Sequence, residues 1–281
     1  MLVTTKEMLR AAQAGGYAVG AFNAENMEMI FAVLAAAEKL RAPLILQATP
    51  LMMEFASPAL YAAMTKAAME KTTVPVALHL DHGDSYGVAV RALRAGYTSL
   101  MLDGSRLPYE ENIALTRRVV ELAAPCGIPV EAELGAVGGT EDGLTGTSDN
   151  GTDPDQALDF LARTGADFLA VGIGTAHGIY KAAPKLDLER LEAIRVRVDA
   201  PLVLHGASGI SEQDLRNCIA RGICKINFAT ELRLAYSGGI KALLAEKPET
   251  FDPKALGRAA MARVEEAAAE SIRRCGSAGR A

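Results

Sequence analysis

The sequence lacks three features that would each assign it to a known class of protein. Positive charge is not in excess, because 29 Lys and Arg stand against 34 Asp and Glu and give a formal net charge of -5. The four cysteines, Cys126, Cys218, Cys224 and Cys275, form no CxxC pair. No apolar run approaches the roughly 20 residues that span a membrane. The sequence therefore gives no sign of nucleic acid or a membrane as partner, of a thiolate zinc site or of a disulfide framework.

The start of the chain and its composition are those of a cytoplasmic globular protein. Residues 1–19 lack the basic start and continuous apolar stretch of a signal peptide. The 281 residues are 50% hydrophobic and contain no low-complexity tract, which suffices for one large core or two small ones. We expect a cytoplasmic protein with a single domain over residues 1–281.

Short aliphatic runs alternate with alanine-rich segments of helical periodicity along the whole chain. Eight runs predict strands, at residues 17–23, 43–47, 76–80, 98–103, 129–133, 168–173, 202–205 and 224–227. Helical periodicity is clear in residues 27–40, 86–95, 111–124 and 156–164. A glycine stands between helix and strand in "RAGYTSLML", "APCGIPVEAEL", "RTGADFLAV" and "RGICKINF", where it suits a left-handed helix end. Eight strand-helix units in this length predict an α/β fold, a (β/α)8 TIM barrel.

The positions of the polar residues favour this barrel over an open, doubly wound sheet. Polar side chains stand at or just beyond the C-terminal ends of the eight runs, namely Asn23, Gln47, Asp81, His82, Asp103, Glu133, His177, His205 and Asn227. A barrel brings all eight ends to one mouth, where barrel active sites lie, whereas an open sheet would spread them along an edge. Periodicity alone does not decide between the two.

Three of the four histidines are predicted to bind a metal ion. His82 in "HLDHG", His177 in "GTAHG" and His205 in "VLHGASG" each lie at a strand end and are each followed by glycine. Three imidazoles with one position left open are typical of catalytic zinc, although cobalt, iron or nickel also bind nitrogen ligands. The fourth, His79, lies inside its run and is expected to be a wall residue. Gly83 is expected to make the bend that turns His82 into the mouth.

Carboxylates accompany these histidines at the strand ends. Asp81 is predicted to be a general base, and the alternatives are a hydrogen-bond partner that supports a metal ligand or a charge that balances the metal. Asp103 and Glu133 are interpreted either as electrostatic scaffolding or as ligands of a second or resting metal position.

Two further segments suit substrate binding. "HGASG" and "NFATE" follow strands 7 and 8, where barrels often bind phosphate, and they supply backbone N–H groups and the hydroxyls of Ser208 and Thr230. Residues 135–154 form a long connection rich in Gly, Thr, Ser and Asp after strand 5. We interpret it as a flap over the mouth, with Glu141 as its candidate catalytic residue.

Taken together, these motifs resemble the class II, zinc-dependent bisphosphate aldolases, and most of all their tagatose-bisphosphate branch. The resemblance runs nearly end to end through "GGYAVGAFN", "HLDHG", "VEAELG", "GTAHGIY", "LVLHGASG", "GICKINFATEL" and the closing "CG..GRA" pattern. It implies reversible cleavage of a ketose 1,6-bisphosphate to dihydroxyacetone phosphate and glyceraldehyde 3-phosphate. It also implies a zinc cofactor, a monovalent cation (sodium or potassium) held by backbone oxygens, a C-terminal helical extension and a homodimer or homotetramer.

The resemblance also implies a role for each matching residue. It makes His82, His177 and His205 the zinc ligands, Asp103 and Glu133 a second metal position, Asp81 the acid/base and Glu141 the flap carboxylate that exchanges a proton with the enediolate. Its substrate-binding residues are Asn23, Gly178, Gly206, Ala207, Ser208, Asn227, Phe228, Ala229, Thr230 and Lys254. Lys254 is a departure, because many relatives have arginine in this "DPK" motif, where it reaches the far phosphate from a neighbouring subunit.

Three alternatives stay open from the sequence. The barrel could act on a different ketose 1-phosphate, or bind a sugar phosphate without turnover, although retention of both Asp81 and Glu141 argues against simple binding. A Schiff-base mechanism would need a lysine at a strand end, and Lys225 inside strand 8 is the one candidate.

Overall fold

The computed structural model describes residues 1–135, 137–141, 144–146, 151–178, 180 and 184–281, and for residues 139–141 and 144–146 it describes the backbone alone. Eight parallel strands close into a barrel in the order β1-β11-β10-β8-β5-β4-β3-β2. The predicted TIM barrel is therefore confirmed, and the open sheet is excluded. In the described part of the chain, no helix combines the length and apolar character that crossing a membrane requires.

The barrel strands all coincide with predicted runs. They are β1 (Val19–Asn23), β2 (Leu44–Ala48), β3 (Val76–Gly83), β4 (Ser99–Leu102), β5 (Val130–Leu134), β8 (Phe168–Val171), β10 (Leu202–Leu204) and β11 (Ile223–Phe228). Three short strands form a separate sheet in the order β7-β6-β9, namely β6 (Gly138–Glu141), β7 (Leu144–Gly146) and β9 (Ala176–His177). That sheet was not predicted, and two of its strands lie in the 135–154 segment.

The helices pack around the barrel. They are α1 (Thr5–Gly15), α2 (Met27–Leu40), α3 (Pro50–Ala56), α4 (Pro58–Ala68), α5 (Tyr86–Ala95), α6 (Tyr109–Ala123), α7 (Pro154–Thr164), α8 (Leu188–Arg197), α9 (Glu212–Ala220), α10 (Thr230–Glu246) and α11 (Pro253–Arg274). Short 3-10 turns cover Met69–Lys71 and Ala124–Cys126. Of the four helices predicted with bounds, α2 and α5 have those bounds, α7 begins two residues earlier, and α6 begins two residues earlier and ends one residue earlier. The α10 helix completes the eighth strand-helix unit, and α11 is the predicted C-terminal extension.

The barrel has an apolar floor. Met8, Leu9 and Ala12 of α1 share a buried cluster with strand residues that face the barrel interior, among them Val19 and Ile45. A larger apolar cluster fills the space between the strands and the outer helices. Both faces of each strand are therefore covered, as is usual for a parallel sheet. Polar side chains are left to the upper half of the interior, towards the C-terminal mouth.

The end of β3 departs from regular strand geometry. The register between β3 and β4 shifts between Leu80 and Gly83, and His82 itself has a φ of 47°, in the left-handed region. The prediction that Gly83 makes the bend is therefore wrong, because the bend is at His82. Gly83 is needed for a different reason, since a Cβ there would lie 2.4 Å from the carbonyl oxygen of Met101. Left-handed backbone at a non-glycine residue costs about 1–3 kcal/mol and often marks a functional site.

We predict that Gly83→Ala destabilises the barrel and displaces the end of β3, because the added methyl group collides with the backbone of β4. The free energy of unfolding in urea should fall by about 1–3 kcal/mol, the usual cost of overpacking. Gly87→Ala is the matched control, because a Cβ at Gly87 in α5 would meet nothing within 4 Å. Parental stability in Gly83→Ala would contradict this reading of the strand end.

Candidate metal centre and active site

Three histidines meet at the mouth of the barrel. His82 stands near the end of β3, His177 lies in β9 and His205 directly follows β10. His82 and His205 are buried and His177 is half-buried. One ring nitrogen from each lies within 4.8 Å of the others, and the ring centroids are between 4.6 and 6.0 Å apart. The three predicted ligands therefore come together.

Carboxylates orient two of the three rings. The Nδ1 of His82 is 2.9 Å from Asp103 Oδ2, and the Nε2 of His205 is 3.0 Å from Glu131 Oε1. At His82 the carboxylate accepts a hydrogen bond from Nδ1, so the opposite nitrogen keeps its lone pair for a metal ion. Nε2 of His82 is buried and has no hydrogen-bond partner among the described residues. An imidazole lone pair buried in this way fits a metal ligand.

A second group of possible ligands adjoins the first. His82, Asp103 and Glu133 also each offer one atom within 4.8 Å of the others. Glu133 Oε2 lies 3.1 Å from His205 Nδ1 and 3.9 Å from His82 Nδ1, so this carboxylate stands between the two rings. The other oxygen of Asp103, Oδ1, accepts hydrogen bonds from the backbone N–H and the hydroxyl of Ser105. The predicted second metal position therefore has its residues in one place.

The electrostatics of the cluster favour a bound cation. Burial lowers the pKa of His82, but Asp81, Asp103 and Glu133 together raise it well above its ordinary value. Burial also lowers the pKa of His205, but its interactions with the Glu131 and Glu133 carboxylates have the larger effect and raise the pKa above its ordinary value. In His177, burial and the two neighbouring imidazoles lower the pKa to about 2. The carboxylates that raise these two pKa values would also stabilise a divalent ion bound by the same imidazoles.

Asp81 lies beside this cluster in a cradle of carboxamides. Its Oδ2 accepts hydrogen bonds from Asn23 Nδ2 at 2.8 Å and Gln47 Nε2 at 3.1 Å, and its Oδ1 accepts one from Asn227 Nδ2 at 3.0 Å. Burial would raise the pKa of Asp81, but His82, Lys225, His205 and the Asn23 hydrogen bond lower it. The carboxylate is thus kept ionised in a buried position, which suits a base.

Sequence reasoning missed Glu131, which is central to the site. Glu131 is fully buried, with one oxygen against His205 and the other 2.9 Å from Lys225 Nζ. Burial raises the pKa of Glu131, but Lys225, His205 and His79 have the larger effect and hold this pKa well below its usual range. The sequence could have indicated Glu131, because Glu131 and Glu133 in "VEAEL" are two residues apart and so share one strand face.

The remaining candidate residues inside the barrel have structural partners. His79 Nδ1 is 2.7 Å from Ser99 Oγ, and His79 belongs to neither group of possible ligands found in the described residues. Lys225 is fully buried and forms an ion pair with Glu131. A Schiff base needs a neutral amine that a ketone can reach, so this environment does not support the Schiff-base alternative.

The two predicted phosphate loops lie against the start of α10. The helix begins at Thr230 without a side-chain cap, so its first N–H groups are open to an anion. Ser208 Oγ donates a hydrogen bond to Glu231 in the first turn, so a phosphate would compete with Glu231 for this hydroxyl. Ala207, Phe228 and Ala229 are buried, and Phe228 stacks on Phe22, so they could contact a ligand mainly through their backbone.

Tyr180, which sequence reasoning also missed, joins two of the loops at the mouth. Its hydroxyl accepts a hydrogen bond from the N–H of Ala176 at 2.6 Å and donates one to the carbonyl oxygen of Gly206 at 2.7 Å. It thereby ties the His177 loop, which also contains Gly178, to the His205 loop. The carbonyl oxygen of Gly206 is thus engaged by this hydroxyl.

One predicted residue, Lys254, is not brought into the cluster. Lys254 lies at the start of α11, largely exposed, with its Nζ 3.2 Å from Asp252 Oδ1, and no described contact joins it to the strand ends. The side chain of Glu141 lies outside the described residues. Its backbone ends β6, where Gly139 pairs with His177, so Glu141 lies two residues along the strand from the partner of a candidate ligand.

We predict that His177→Ala lowers the affinity for zinc by at least about tenfold, because two remaining imidazoles would hold the ion poorly. Competition titration with a zinc chelator would measure this. His79→Gln is the matched control and should bind zinc as the parent does. Parental zinc affinity in His177→Ala would exclude His177 as a ligand.

Comparison with known proteins places this chain in a family. The family model for class-II fructose-bisphosphate aldolase matches residues 3–280. The chain is 40% identical to the YdjI aldolase from Escherichia coli K12, with a TM-score of 0.90 and full coverage of both chains. It is 32% identical to a putative fructose-1,6-biphosphate aldolase from Coccidioides immitis, with a TM-score of 0.88 and coverage of 98% and 96%.

A third solved structure supports the fold. The fructose-bisphosphate aldolase of Campylobacter jejuni is 21% identical to the chain, with a TM-score of 0.85 and coverage of 100% of this chain and 97% of that one. The family model matches nearly the whole chain, and the first two solved structures are at least 32% identical to it, so the comparison assigns a family as well as a fold. The chain therefore belongs to the class II fructose-bisphosphate aldolase family and is a metal-dependent aldolase.

Proposed function

We propose that this enzyme reversibly cleaves a ketose 1,6-bisphosphate of the tagatose or fructose type, with zinc as its metal. The products are dihydroxyacetone phosphate and glyceraldehyde 3-phosphate. The observation that carries the proposal is the pairing of an ionised, buried Asp81 with the cluster of three histidines at one mouth. Cleavage of a β-hydroxy ketone needs these two parts, a base for the hydroxyl and an electrophile for the ketone.

The residues present fit zinc. His82, His177 and His205 would hold the ion, and Asp103 and Glu133 would serve a second position next to it. Zinc favours imidazole ligands and keeps an open position in catalytic sites. When bound, the ion acts as a Lewis acid that polarises the ketone oxygen of the substrate.

Asp81 would remove the proton from the C4 hydroxyl as the C3–C4 bond breaks. Its carboxylate is available as a proton acceptor because His82, Lys225, His205 and the Asn23 hydrogen bond lower its pKa against the effect of burial and keep it ionised. The amides also fix the carboxylate in one orientation, so the proton acceptor is positioned before substrate arrives. In the synthetic direction the protonated Asp81 would return the proton to the aldehyde oxygen.

Glu141 would exchange the second proton, at C3 of dihydroxyacetone phosphate. Supporting this role, β6 is paired with the His177 strand, and Glu141 lies about 7 Å along β6 from Gly139 at the usual rise per residue. The strand pairing ties this part of the 135–154 segment to the mouth. A carboxylate there could move over the substrate without leaving the site.

The phosphate of dihydroxyacetone phosphate would bind between Gly178, Gly206, Ser208 and the start of α10. The uncapped N-terminus of this helix supports the assignment, because free N–H groups and the helix dipole favour an anion. Asn23 and Asn227 would bind the hydroxyl groups of the substrate with the amide hydrogens that Asp81 does not use.

The far phosphate would bind Lys254 of a neighbouring subunit in a homodimer or homotetramer. The exposure of Lys254 and the absence of a described contact between it and the strand ends support a role across an interface rather than within one chain. Lysine provides a point charge instead of the two-pronged contact of arginine. The choice of aldehyde therefore depends on this weaker contact.

We predict that Asp81→Asn keeps zinc bound but lowers kcat for cleavage by roughly 10²-fold or more, the usual scale for a positioned base. Steady-state kinetics together with metal analysis would measure both effects. Asp84→Asn, three residues away and exposed, is the control. Loss of zinc together with activity would show instead that Asp81 supports the metal site.

We predict that tagatose and fructose 1,6-bisphosphates are cleaved with higher kcat/KM than their 1-phosphates. Lys254→Ala should raise KM for a bisphosphate, most strongly at low salt, and leave the 1-phosphates unaffected. Lys247→Ala, also on an exposed lysine paired with a neighbouring carboxylate, is the control. Equal kcat/KM for bisphosphates and 1-phosphates in the parent enzyme would contradict the bisphosphate assignment.

A further inference from the structure

Lys225 is a buried lysine that the proposed reaction leaves without a task. It lies in β11 with no exposed surface, its Nζ is 2.9 Å from Glu131 Oε2, and it donates a hydrogen bond to Asn227 Oδ1 at 2.9 Å. Asn227 is two residues further along the same strand, so both side chains face the barrel interior. The lysine therefore touches the amide that in turn touches Asp81.

The ammonium group determines which way the Asn227 amide points. A protonated lysine has three donors and no acceptor, so the atom of Asn227 facing Lys225 must be the carbonyl oxygen. The NH2 group then faces Asp81 Oδ1, to which it donates at 3.0 Å. In the flipped amide, two donors would meet at Lys225 and a carbonyl oxygen would meet a carboxylate. Both contacts would be repulsive.

The other amides around Asp81 are set differently. Asn23 Oδ1 accepts a hydrogen bond from Gln47 Nε2 at 2.8 Å, so a neutral donor orients Asn23. Asn227 is the one amide in the described Asp81 cradle with a charged group behind it. Glu131 balances that charge, and the same carboxylate holds the His205 ring.

We propose that Lys225 is a positioning residue for carbon–carbon bond cleavage, which acts by locking the Asn227 carboxamide so that its NH2 group orients Asp81. The proposal rests on the proposed function, in which Asp81 handles the C4 hydroxyl proton. Glu131 is the counter-charge that lets the ammonium remain in the dry interior. A purely structural ion pair is the competing explanation, because buried pairs often serve folding alone.

Two half-reactions separate these explanations. Cleavage of the ketose bisphosphate requires Asp81, whereas hydrogen exchange at C3 of dihydroxyacetone phosphate in deuterium oxide does not, because this ligand has no C4 hydroxyl. With Lys225→Met, kcat for cleavage should fall about 10- to 100-fold, the scale for residues that orient a catalytic group. Exchange at saturating dihydroxyacetone phosphate should stay within about twofold, and zinc content should be unchanged. Parallel loss of exchange and cleavage would overturn the proposal.

A double-mutant cycle tests whether the effect passes through Asn227. Once Asn227→Ala has removed the amide, adding Lys225→Met should lower cleavage by less than about twofold further. If the two losses multiply instead, Lys225 does not act through Asn227 and the proposal fails. Lys6→Met is the matched control, because Lys6 forms a 3.0 Å ion pair with Asp167 on the surface. It should change neither half-reaction.

Removing the ammonium alone leaves Glu131 buried without its partner, so the variant could fail to fold. The paired change Glu131→Gln with Lys225→Met removes both charges and keeps an acceptor for His205. It should fold, bind zinc and show the same selective loss of cleavage. Loss of zinc or of the folded state in this variant too would establish a structural role and overturn the proposal.

Failure of this proposal is distinguishable from failure of the proposed function. If Asp81→Asn cleaves as fast as the parent, the acid/base assignment itself is wrong. If Asp81→Asn is impaired while the losses at Lys225 and Asn227 multiply, the assignment of Asp81 stands and only the positioning role of Lys225 is wrong.

Discussion

The carboxylate of Glu131, buried at the centre of the barrel, is the group on which the rest of the site depends. A lone charge there would be prohibitively costly, and an ion pair repays that cost only when its remaining hydrogen-bonding atoms are satisfied. Glu131 faces His205 with one oxygen, and its other oxygen lies 2.9 Å from the ammonium of Lys225. It thereby links the metal cluster on one side to the Asp81 cradle on the other. The histidine cluster and the Asp81 cradle therefore share the charge of Glu131.

The barrel makes this arrangement possible by separating its interior into two levels. Apolar residues of α1 and the lower strand positions form a floor, and the polar side chains occupy the level above. Water is excluded from below, which strengthens every electrostatic interaction in the cluster. The left-handed backbone of His82 is the one local distortion at the end of β3, and it turns the imidazole towards the mouth directly after Asp81.

The alternation of aliphatic runs with helical segments was sufficient to predict the barrel. The polar residues at the strand ends were sufficient to predict which histidines come together at its mouth. What the sequence pattern did not reveal depends on contacts between distant strands. Glu131 was not singled out and Lys225 was considered only as a Schiff-base candidate, because only the closed barrel brings β5 and β11 residues together across the interior. The bend was assigned to Gly83, since a positive φ at His82 contradicts local preference and is imposed by packing. The role of Tyr180 as a tie between two loops depends on a backbone oxygen, which no residue pattern marks.

We expect one divalent ion to bind to the three histidines, with Nε2 of His82 as a ligand atom because Asp103 faces Nδ1 of the same ring. Diffraction data collected around the zinc absorption edge from zinc-loaded crystals test it most directly. An anomalous peak is expected within the three-histidine cluster, about 2.0–2.1 Å from Nε2 of His82, the usual zinc–nitrogen distance, with His177 and His205 as the other two ligands. A peak outside the cluster, or His82 bound through Nδ1, which faces Asp103, would contradict this expectation.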